Sequence, residues 1–303
     1  MPWRLTLAAL LLAGPALAQQ EPDTTFAPPI AAPTWPPGRG PVVVIDEGHE
    51  NFHTAAGRYR PFAALLRRDG YVVRASAAAL RAGGLEGVRV LVIANALGET
   101  SDSAPSSGPA FTTDEVRRVR EWVDGGGALL LIADHMPFPA AARSLAGAFG
   151  FELTDGFAAG AGGQPDPIVF SRAAGTLADH PIVRGRSAAE RVDSVVSFTG
   201  EAFRGEGATA LLVLGDAAVN LFPRKPWEFD STTVRRPAAG WWQGAVKEVG
   251  RGRVAVFGEA AMFTAQVAGP ERVPVGMNHP AATQNARLLL NLMRWLVGSR
   301  PGA

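Results

Sequence analysis

The sequence has 303 residues, of which 47% are hydrophobic and 19% are charged, and this composition is typical of a globular chain. The formal net charge of +1 gives no electrostatic reason to expect a nucleic-acid partner. The absence of cysteine excludes disulfides, thiolate metal sites, iron–sulfur clusters and a cysteine nucleophile. Only five histidines occur, so each deserves separate consideration.

The first residues are typical of a signal peptide over residues 1–18. Arg4 supplies a positive charge, residues 5–13 form a short apolar core, and residues 16–18 (Ala-Leu-Ala) fit a cleavage site. The apolar run is shorter than the roughly 20 residues that a membrane span requires. We therefore expect a periplasmic or secreted protein with no membrane span.

Residues 19–40 contain six prolines and predict a tether, because proline supports neither a helix interior nor a central strand. The folded part is expected over residues 41–300, as a single α/β domain.

In the first half of that domain, apolar runs alternate with helical patterns. Residues 112–115 resemble a capping box, from which a helix is expected to run to Gly125. Another helix is expected around residues 62–66, before Gly70. The predicted strands are residues 42–45, 71–73, 88–94 and 128–133. This alternation predicts an α/β fold with a doubly wound, mostly parallel sheet of flavodoxin-like type.

The second half begins with a less regular region, residues 150–240, which predicts an insertion into the fold. Within it, strands are expected at residues 192–198 and 211–214, and loops at 160–163 and 223–237. A β-hairpin is expected over residues 244–258, with its second strand buried. A last helix is expected to start near Pro280.

Open parallel sheets bind ligands beyond the carboxyl ends of their strands. Four places follow from this rule: residues 46–53, residues 134–135, Glu259, and residues 276–280 before the last helix. Four of the five histidines fall in them, namely His49, His53, His135 and His279. The alternative is that these Asp and His residues cap helices or hold loops through hydrogen bonds.

One hypothesis for these residues is a divalent, zinc-like metal site. Its expected ligands are Asp46, His49, His53 and His135, because carboxylate oxygen and imidazole nitrogen both bind such ions. A bound water would become acidic, and a spare carboxylate such as Glu47 or Glu259 would act as general base. The spacing matches no standard zinc signature.

The metal-free hypothesis is acid–base chemistry on a small polar or carbohydrate-like ligand. Asparagine side chains would donate hydrogen bonds to it. Trp241 and Trp242 would stack on a sugar ring under this hypothesis, but a surface or core aromatic pair is the favoured interpretation of these two residues. Under the two hypotheses together, the expected catalytic residues are Glu47, Asp134, His135 and Glu259, and the expected ligand-binding residues are Asn51, Asn95, Asn278 and His279.

The order of four segments resembles the class I glutamine amidotransferase-like superfamily, particularly a bacterial branch near the trehalose-utilisation-like proteins. The segments are residues 44–49, 125–135, 180–185, and 258–263 taken together with 291–296. The resemblance implies the glutamine amidotransferase-like fold. Members of that superfamily that hydrolyse glutamine place a cysteine after the central strand, where Asp134 and His135 stand here. Without any cysteine, a thiolate-dependent glutamine amidotransferase activity is excluded.

Two functions remain open at this point, and whether the chain is an enzyme depends on which is correct. The first is an exported hydrolase-like protein, with or without a metal, that acts on a small polar or carbohydrate-like substrate. The alternative is a non-catalytic ligand-binding or interaction domain on an amidotransferase-like scaffold. A protein partner is then possible, a use that gliding-machinery and intraflagellar-transport proteins resemble. The grouped histidines favour the first, whereas the Pro-rich segment and the missing cysteine favour the second.

Overall fold

The computed structural model describes residues 20–78, 80–97 and 108–298. The expected signal peptide lies outside the described residues, so it stays a prediction together with the compartment that it implies. Within the described ranges, no helix has the length and apolar character needed to cross a membrane.

The helices of the described residues are α1 (Arg60–Arg68), α2 (Thr113–Asp124), α3 (Phe138–Ala148), α4 (Pro181–Arg184) and α5 (Asn285–Val297). The strands are β1 (Gln20–Pro22), β2 (Val42–Asp46), β3 (Val72–Ser76), β4 (Val90–Ala94), β5 (Ala128–Ile132), β6 (Phe151–Leu153), β7 (Phe157–Ala159), β8 (Ile168–Ser171), β9 (Ser194–Ser197), β10 (Phe203–Gly205), β11 (Thr209–Val213), β12 (Val219–Phe222), β13 (Val234–Pro237), β14 (Trp242–Val249), β15 (Gly252–Phe257), β16 (Ala265–Ala268) and β17 (Val273–Gly276).

A nine-stranded sheet forms the centre of the molecule, in the order β3-β2-β4-β5-β15-β14-β10-β6, with β11 also paired to β14. The strands β3, β2, β4, β5 and β15 are parallel to one another. The remaining strands pair antiparallel, beginning with the β14–β15 hairpin. The mixed α/β class is therefore confirmed. The prediction of a mostly parallel sheet is corrected, because much of the sheet is antiparallel, and a flavodoxin-like fold is not confirmed. The turn between β14 and β15 is too short for a parallel crossover, and the other antiparallel pairs join strands that are far apart along the chain.

Helices cover both faces of the parallel half. Val43 and Ile45 of β2 contribute to the core that contains α1 and α5, whereas Val44 contributes to the core that contains α2 and α3. Both faces of β2 are buried, which explains why its sequence is a continuous apolar run.

The Pro-rich segment, expected to be a tether, lies along the domain. Strand β1 pairs antiparallel with β16. Thr34 donates hydrogen bonds to Asp69 from its backbone nitrogen (2.7 Å) and its hydroxyl (2.8 Å), and Phe26, Ile30 and Trp35 pack against the core. Proline excludes a helix here, but it is compatible with an extended segment. The apolar side chains of this segment pack against the surface of the domain.

The irregular region contains short strands outside the central sheet. They form a three-stranded sheet in the order β13-β12-β7 and the pair β8–β9. Strand β13 lies inside a predicted loop, and all its residues are exposed, so it has no hydrophobic pattern to reveal it. The last helix, α5, begins at Asn285 rather than near Pro280, because residues 280–284 form turns after His279.

Candidate functional site

We use the name rim for the edge formed by the carboxyl ends of β2, β4, β5 and β15 and the residues that follow them. Asp46 ends β2, Asn95 follows β4, Asp134 follows β5, and Glu259 follows β15. The side-chain oxygen of Asn95 accepts a hydrogen bond from the backbone nitrogen of Asp134 (2.9 Å), and its carbonyl oxygen accepts one from Phe52 (2.9 Å). The parallel half of the sheet thus brings these segments to one edge, as the strand-end rule predicts.

His49 lies between two carboxylates at the rim. Its Nδ1 is 2.8 Å from Asp46 Oδ2, and its Nε2 is 3.4 Å from Glu115 Oε1. Burial opposes the charged form of His49, but the hydrogen bonds and negative charges of Asp46 and Glu115 outweigh it and raise the pKa of His49. This arrangement stabilises the protonated form of the imidazole.

Glu115 was not foreseen as a member of the site. Its Oε2 accepts hydrogen bonds from the backbone nitrogen (2.9 Å) and hydroxyl (2.7 Å) of Thr112, which completes the predicted capping box of α2. In the sequence, the capping box was a sufficient reason for an acidic residue at position 115. No further pattern indicated that the other oxygen of Glu115 would face His49.

His53 is buried beside the rings of Phe52 and Tyr59, and its Nδ1 has no hydrogen-bond partner within the protein. Burial is the main cause that lowers the pKa of His53 to about 3, with smaller contributions from the charges of Arg58 and His135. The ring is therefore neutral at physiological pH, and one nitrogen is available to a small polar molecule.

Two asparagines have the same kind of unsatisfied atom. Asn51 accepts a hydrogen bond from the backbone nitrogen of His49 (3.0 Å), but its Nδ2 has no partner within the protein. Asn95 likewise accepts through its Oδ1, while its buried Nδ2 has no partner. Asn95 adopts a left-handed conformation (φ 51°), which Asn tolerates better than most residues.

Asp134 and Glu259, expected to be catalytic, accept hydrogen bonds from the backbone. Asp134 accepts from His135 N (2.8 Å) and Ala260 N (3.4 Å), and Glu259 accepts from Ala261 N (2.8 Å) and Met262 N (2.7 Å). Burial, followed by the charge of Asp134, raises the pKa of Glu259 well above its usual range. These bonds hold the loops after β5 and β15 in place.

His135 lies among aromatic rings. It stacks on Phe157 with ring centroids 4.4 Å apart, and the indole of Trp227 meets its edge at 4.6 Å. Its Nδ1 lies 2.8 Å from the carbonyl oxygen of Met136. Trp227 is 46% exposed and has a left-handed backbone (φ 68°), and Phe52 is 48% exposed beneath the guanidinium of Arg58.

Phe52 and Trp227 are exposed aromatic residues at the rim, whereas Trp241 and Trp242 were the pair considered for sugar stacking from the sequence. Trp241 instead stacks under the guanidinium of Arg204, and Trp242 lies in β14 against Phe203. Trp227 lies in a segment without helical or strand periodicity, so the sequence contained no signal for its position.

Three further predicted residues make their hydrogen bonds elsewhere. Glu47 accepts from the backbone nitrogen of Ala55 (2.8 Å). Asn278 donates to Asp23 (3.1 Å) and to the carbonyl oxygen of Gln266 (2.9 Å), and so anchors the N-terminal segment. His279 accepts from Ala281 N (3.1 Å) within the turn before α5.

The expected metal ligands do not form a common centre. The ring nitrogens of His49 face Asp46 and Glu115, His53 packs against Tyr59, and His135 Nδ1 faces a carbonyl oxygen. Across residues 20–78, 80–97 and 108–298, no group of three or more His, Asp or Glu side chains is arranged to hold a metal ion. These residues do not fit a zinc-like ion as a set, so no reaction step is assigned to one.

No protein-family model matches the chain, and no curated protein matches its sequence. Among solved structures, the mmIFT52 N-terminal domain superposes with a TM-score of 0.60 at 14% identity, covering 86% of this chain and 100% of that chain. A ThuA-like protein from Bacteroides uniformis ATCC 8492 gives a TM-score of 0.48 at 13% identity, covering 91% of this chain and 97% of that chain. An exo-beta-1,4-mannosidase, Op5Man5 from Opitutaceae bacterium strain TAV5, gives a TM-score of 0.39 at 13% identity, covering 72% of this chain and 31% of that chain.

These likenesses differ in what they support. At 14% identity, the first shows that this chain shares its fold with another protein, and it bears on the fold alone. The other two have TM-scores of 0.48 and 0.39 and support no conclusion.

Proposed function

We propose that this chain binds a small, neutral, carbohydrate-like molecule at the rim. The observation that carries the proposal is the group of three buried polar atoms without partners in the protein, namely Asn51 Nδ2, His53 Nδ1 and Asn95 Nδ2. Buried polar atoms are nearly always hydrogen-bonded in folded proteins, so three at one sheet edge indicate a place where an outside molecule supplies the partner.

The chemistry of these atoms favours a ligand with hydroxyl groups. The two amide nitrogens only donate, whereas the neutral ring nitrogen of His53 donates or accepts, and a hydroxyl group satisfies both kinds of partner. The exposed ring of Trp227, and the part of the Phe52 ring that Arg58 leaves uncovered, offer apolar surfaces of the kind that stack on a sugar ring. His49 is already paired with Asp46 and Glu115, so its charge is not free to bind an anionic ligand.

Binding is tested by saturation-transfer NMR with glucose, galactose and mannose against the full chain and the variant Asn51→Asp. The substitution keeps the oxygen that accepts from His49 N and replaces the unpartnered Nδ2 with a second oxygen. We expect the affinity to fall about ten-fold, because one donor to the ligand is lost and a buried charge is added.

The matched control is Asn220→Asp, another buried asparagine, whose Nδ2 donates to Thr154 Oγ1 (2.8 Å) outside the rim. This variant should bind the sugar with unchanged affinity. Equal affinity of the Asn51 variant and the wild type, or no binding of any of the three sugars at about 10 mM, would contradict the proposal.

A second candidate function is hydrolysis of the bound molecule, which the contacts of His49 specifically favour. Asp46 orients the ring through Nδ1, and Nε2 would exchange a proton with a substrate in place of its 3.4 Å contact with Glu115 Oε1. The raised pKa of His49 favours the protonated ring, which is the form that donates a proton. Hydrolysis of p-nitrophenyl glycosides should be lost in His49→Gln while sugar binding persists. Turnover equal to that of the wild type would rule out this role.

We also propose that this chain is related to the class I glutamine amidotransferase-like superfamily. It is supported by Asp134 and His135, which stand directly after the buried central strand β5, the place where the superfamily's catalytic cysteine is expected. On this view, the scaffold has kept its rim and lost the thiolate chemistry.

A further inference from the structure

A cavity lies at the edge of the sheet opposite the rim, where β15 begins and α5 ends. It has a volume of about 660 Å³, within the usual range for sites that hold small organic molecules. The residues that matter here are Trp35, Arg186, Arg253, Asn291, Arg294 and Trp295, and we call this the basic cavity. Because the rim lies at the carboxyl end of β15 and Arg253 lies near its amino end, the two places are separate.

Two guanidinium groups of the basic cavity share one carboxylate. Arg186 Nε lies 3.0 Å from both oxygens of Glu190, and Arg294 Nη2 lies 3.0 Å from Glu190 Oε2. A single negative charge thus faces two positive charges. The pair of Arg186 with both Glu190 oxygens also shows that a planar carboxylate fits this environment.

Arg253 adds a third positive charge. Its guanidinium lies over the ring of Trp295 (4.9 Å to the centroid) and donates to the carbonyl oxygen of Trp295, which carries no formal charge. Its acidic partner, Glu248, is 3.3 Å away, but the Glu248 side chain is 70% exposed whereas that of Arg253 is 25% exposed. Solvent screens this ion pair, so Glu248 offsets only part of the positive charge of Arg253.

A second carboxylate, that of Asp69, lies near Arg186 and Arg294. Asp69 is fully buried and accepts hydrogen bonds from Thr34. Burial raises the pKa of Asp69 despite those bonds and despite the two arginines. Burial also lowers the pKa of Arg294, which reflects the free-energy cost of holding its charge away from water.

We propose that the basic cavity binds a planar aromatic carboxylate. The guanidinium of Arg253 binds the carboxylate group, and Arg294 lines the same cavity. The indole ring of Trp295 lies beside the ring of the ligand, and Trp35 lines the same space. Arginine binds carboxylates through two parallel N–H donors, and a planar ring packs well against indole.

The test is isothermal titration calorimetry of the full chain with benzoate. Benzamide, which has the ring without the charge, and acetate, which has the charge without the ring, are run beside it. Benzoate should bind at least about ten-fold more tightly than either, because each comparison removes one of the two groups that the cavity recognises. Benzamide or acetate binding as tightly as benzoate would overturn the proposal, and so would the absence of benzoate binding at about 10 mM.

Two variants locate the site. Arg253→Gln should weaken benzoate binding about ten-fold, because a charge-assisted hydrogen bond is lost. The matched control, Arg184→Gln, removes the same charge from a 57% exposed side chain that pairs with Asp179, and it should leave the affinity unchanged. A normal affinity in the Arg253 variant would place the ligand elsewhere and overturn the assignment.

A third variant keeps the test independent of how Arg253→Gln folds. Glu248→Gln removes the exposed acidic partner of Arg253 and should tighten benzoate binding about two-fold. Unchanged or weaker binding by this variant would count against the proposal.

Discussion

Burial and the surrounding charges set the protonation state of His53 at the rim. Its pKa of about 3 means that the folded protein excludes a proton that the unfolded chain would bind below about pH 6.5. The folded state therefore loses stability as the pH falls from about 6.5 towards 3. This is the opposite of the behaviour of His49, whose raised pKa contributes stability at low pH that is lost as the pH rises through its folded value.

This difference leads to a prediction for His53→Gln, which removes the titrating ring. Between pH 7 and pH 5, the shifted pKa of His53 costs the wild type about 2 kcal/mol of unfolding free energy, and the variant should lack that loss. Urea unfolding of both proteins at the two pH values measures the difference. The same pH dependence in both would show that His53 is not held neutral.

Glu201 is a second buried acid, and it lies outside the set that the sequence indicated. Its Oε2 accepts from Thr154 N (2.8 Å) and Asp155 N (3.1 Å), while Oε1 has no partner within the protein. Burial is the largest cause that raises the pKa of Glu201 well above its usual range, so the folded state favours the protonated form. Its contribution to stability is full below about pH 4.5 and is lost as the pH rises.

For Glu201→Gln we therefore expect little loss of stability at pH 5 and a stability at pH 8 that equals or exceeds that of the wild type. The amide keeps one accepting oxygen without a buried charge. Glu201→Ala should instead cost about 3 kcal/mol, because it leaves a cavity and two backbone donors without an acceptor. Denaturant unfolding at both pH values provides the comparison, and a Gln variant as unstable as the Ala variant would contradict the assignment of a protonated acid.

Some residues of the site could be predicted from the sequence, because acidic and imidazole groups at the ends of parallel strands must meet at one edge. That rule placed Asp46, His49, Asn95 and Asp134 together. It could not tell which carboxylates the backbone would already satisfy, as at Glu259, since that depends on loop conformation. Nor could it place Trp227, which reaches His135 from the irregular region.

Among the elements, α2 was predicted most accurately, because its capping box is a local pattern that needs no distant contact. The helix begins after Thr112, and both hydrogen bonds of the box are present. The N-terminal segment contacts β16 and Asp69, which are distant in sequence. No local pattern reveals such contacts, so the sequence predicted only a tether. The number of antiparallel strands in the central sheet was underestimated for the same reason. Strands such as β6 and β10 are short, and they pair although they are far apart along the chain.

The capping box also connects an element to the site. Thr112→Val removes the hydroxyl that donates to Glu115 Oε2 and accepts from Glu115 N, and should cost about 1 kcal/mol of unfolding free energy. It should also lower the pKa of His49, because Glu115 is then less firmly held beside it. An NMR titration of the His49 ring measures the second effect. A shift in stability with no change in the pKa of His49 would mean that the cap does not position Glu115.

At the scale of the whole molecule, the mixed sheet separates two surfaces of different character. The rim at the carboxyl ends carries unsatisfied polar atoms and exposed aromatic rings, whereas the basic cavity at the other edge is lined by three arginines. The overall class could be predicted from the alternation of strands and helices. The basic cavity could not, because its arginines come from residues 186, 253 and 294, which share no local pattern.

The most direct test of the proposed rim site uses the asparagine side chains as reporters. The chain contains six asparagines, so selective 15N labelling gives six resolvable side-chain amide pairs. Titration with the sugar that binds most tightly should shift the amide signals of Asn51 and Asn95 and leave those of Asn285 and Asn291, whose Nδ2 atoms already donate to backbone carbonyl oxygens, unchanged. Signals of Asn51 and Asn95 that stay fixed while the sugar binds, or that stay fixed because no sugar binds, would contradict a ligand site at the rim.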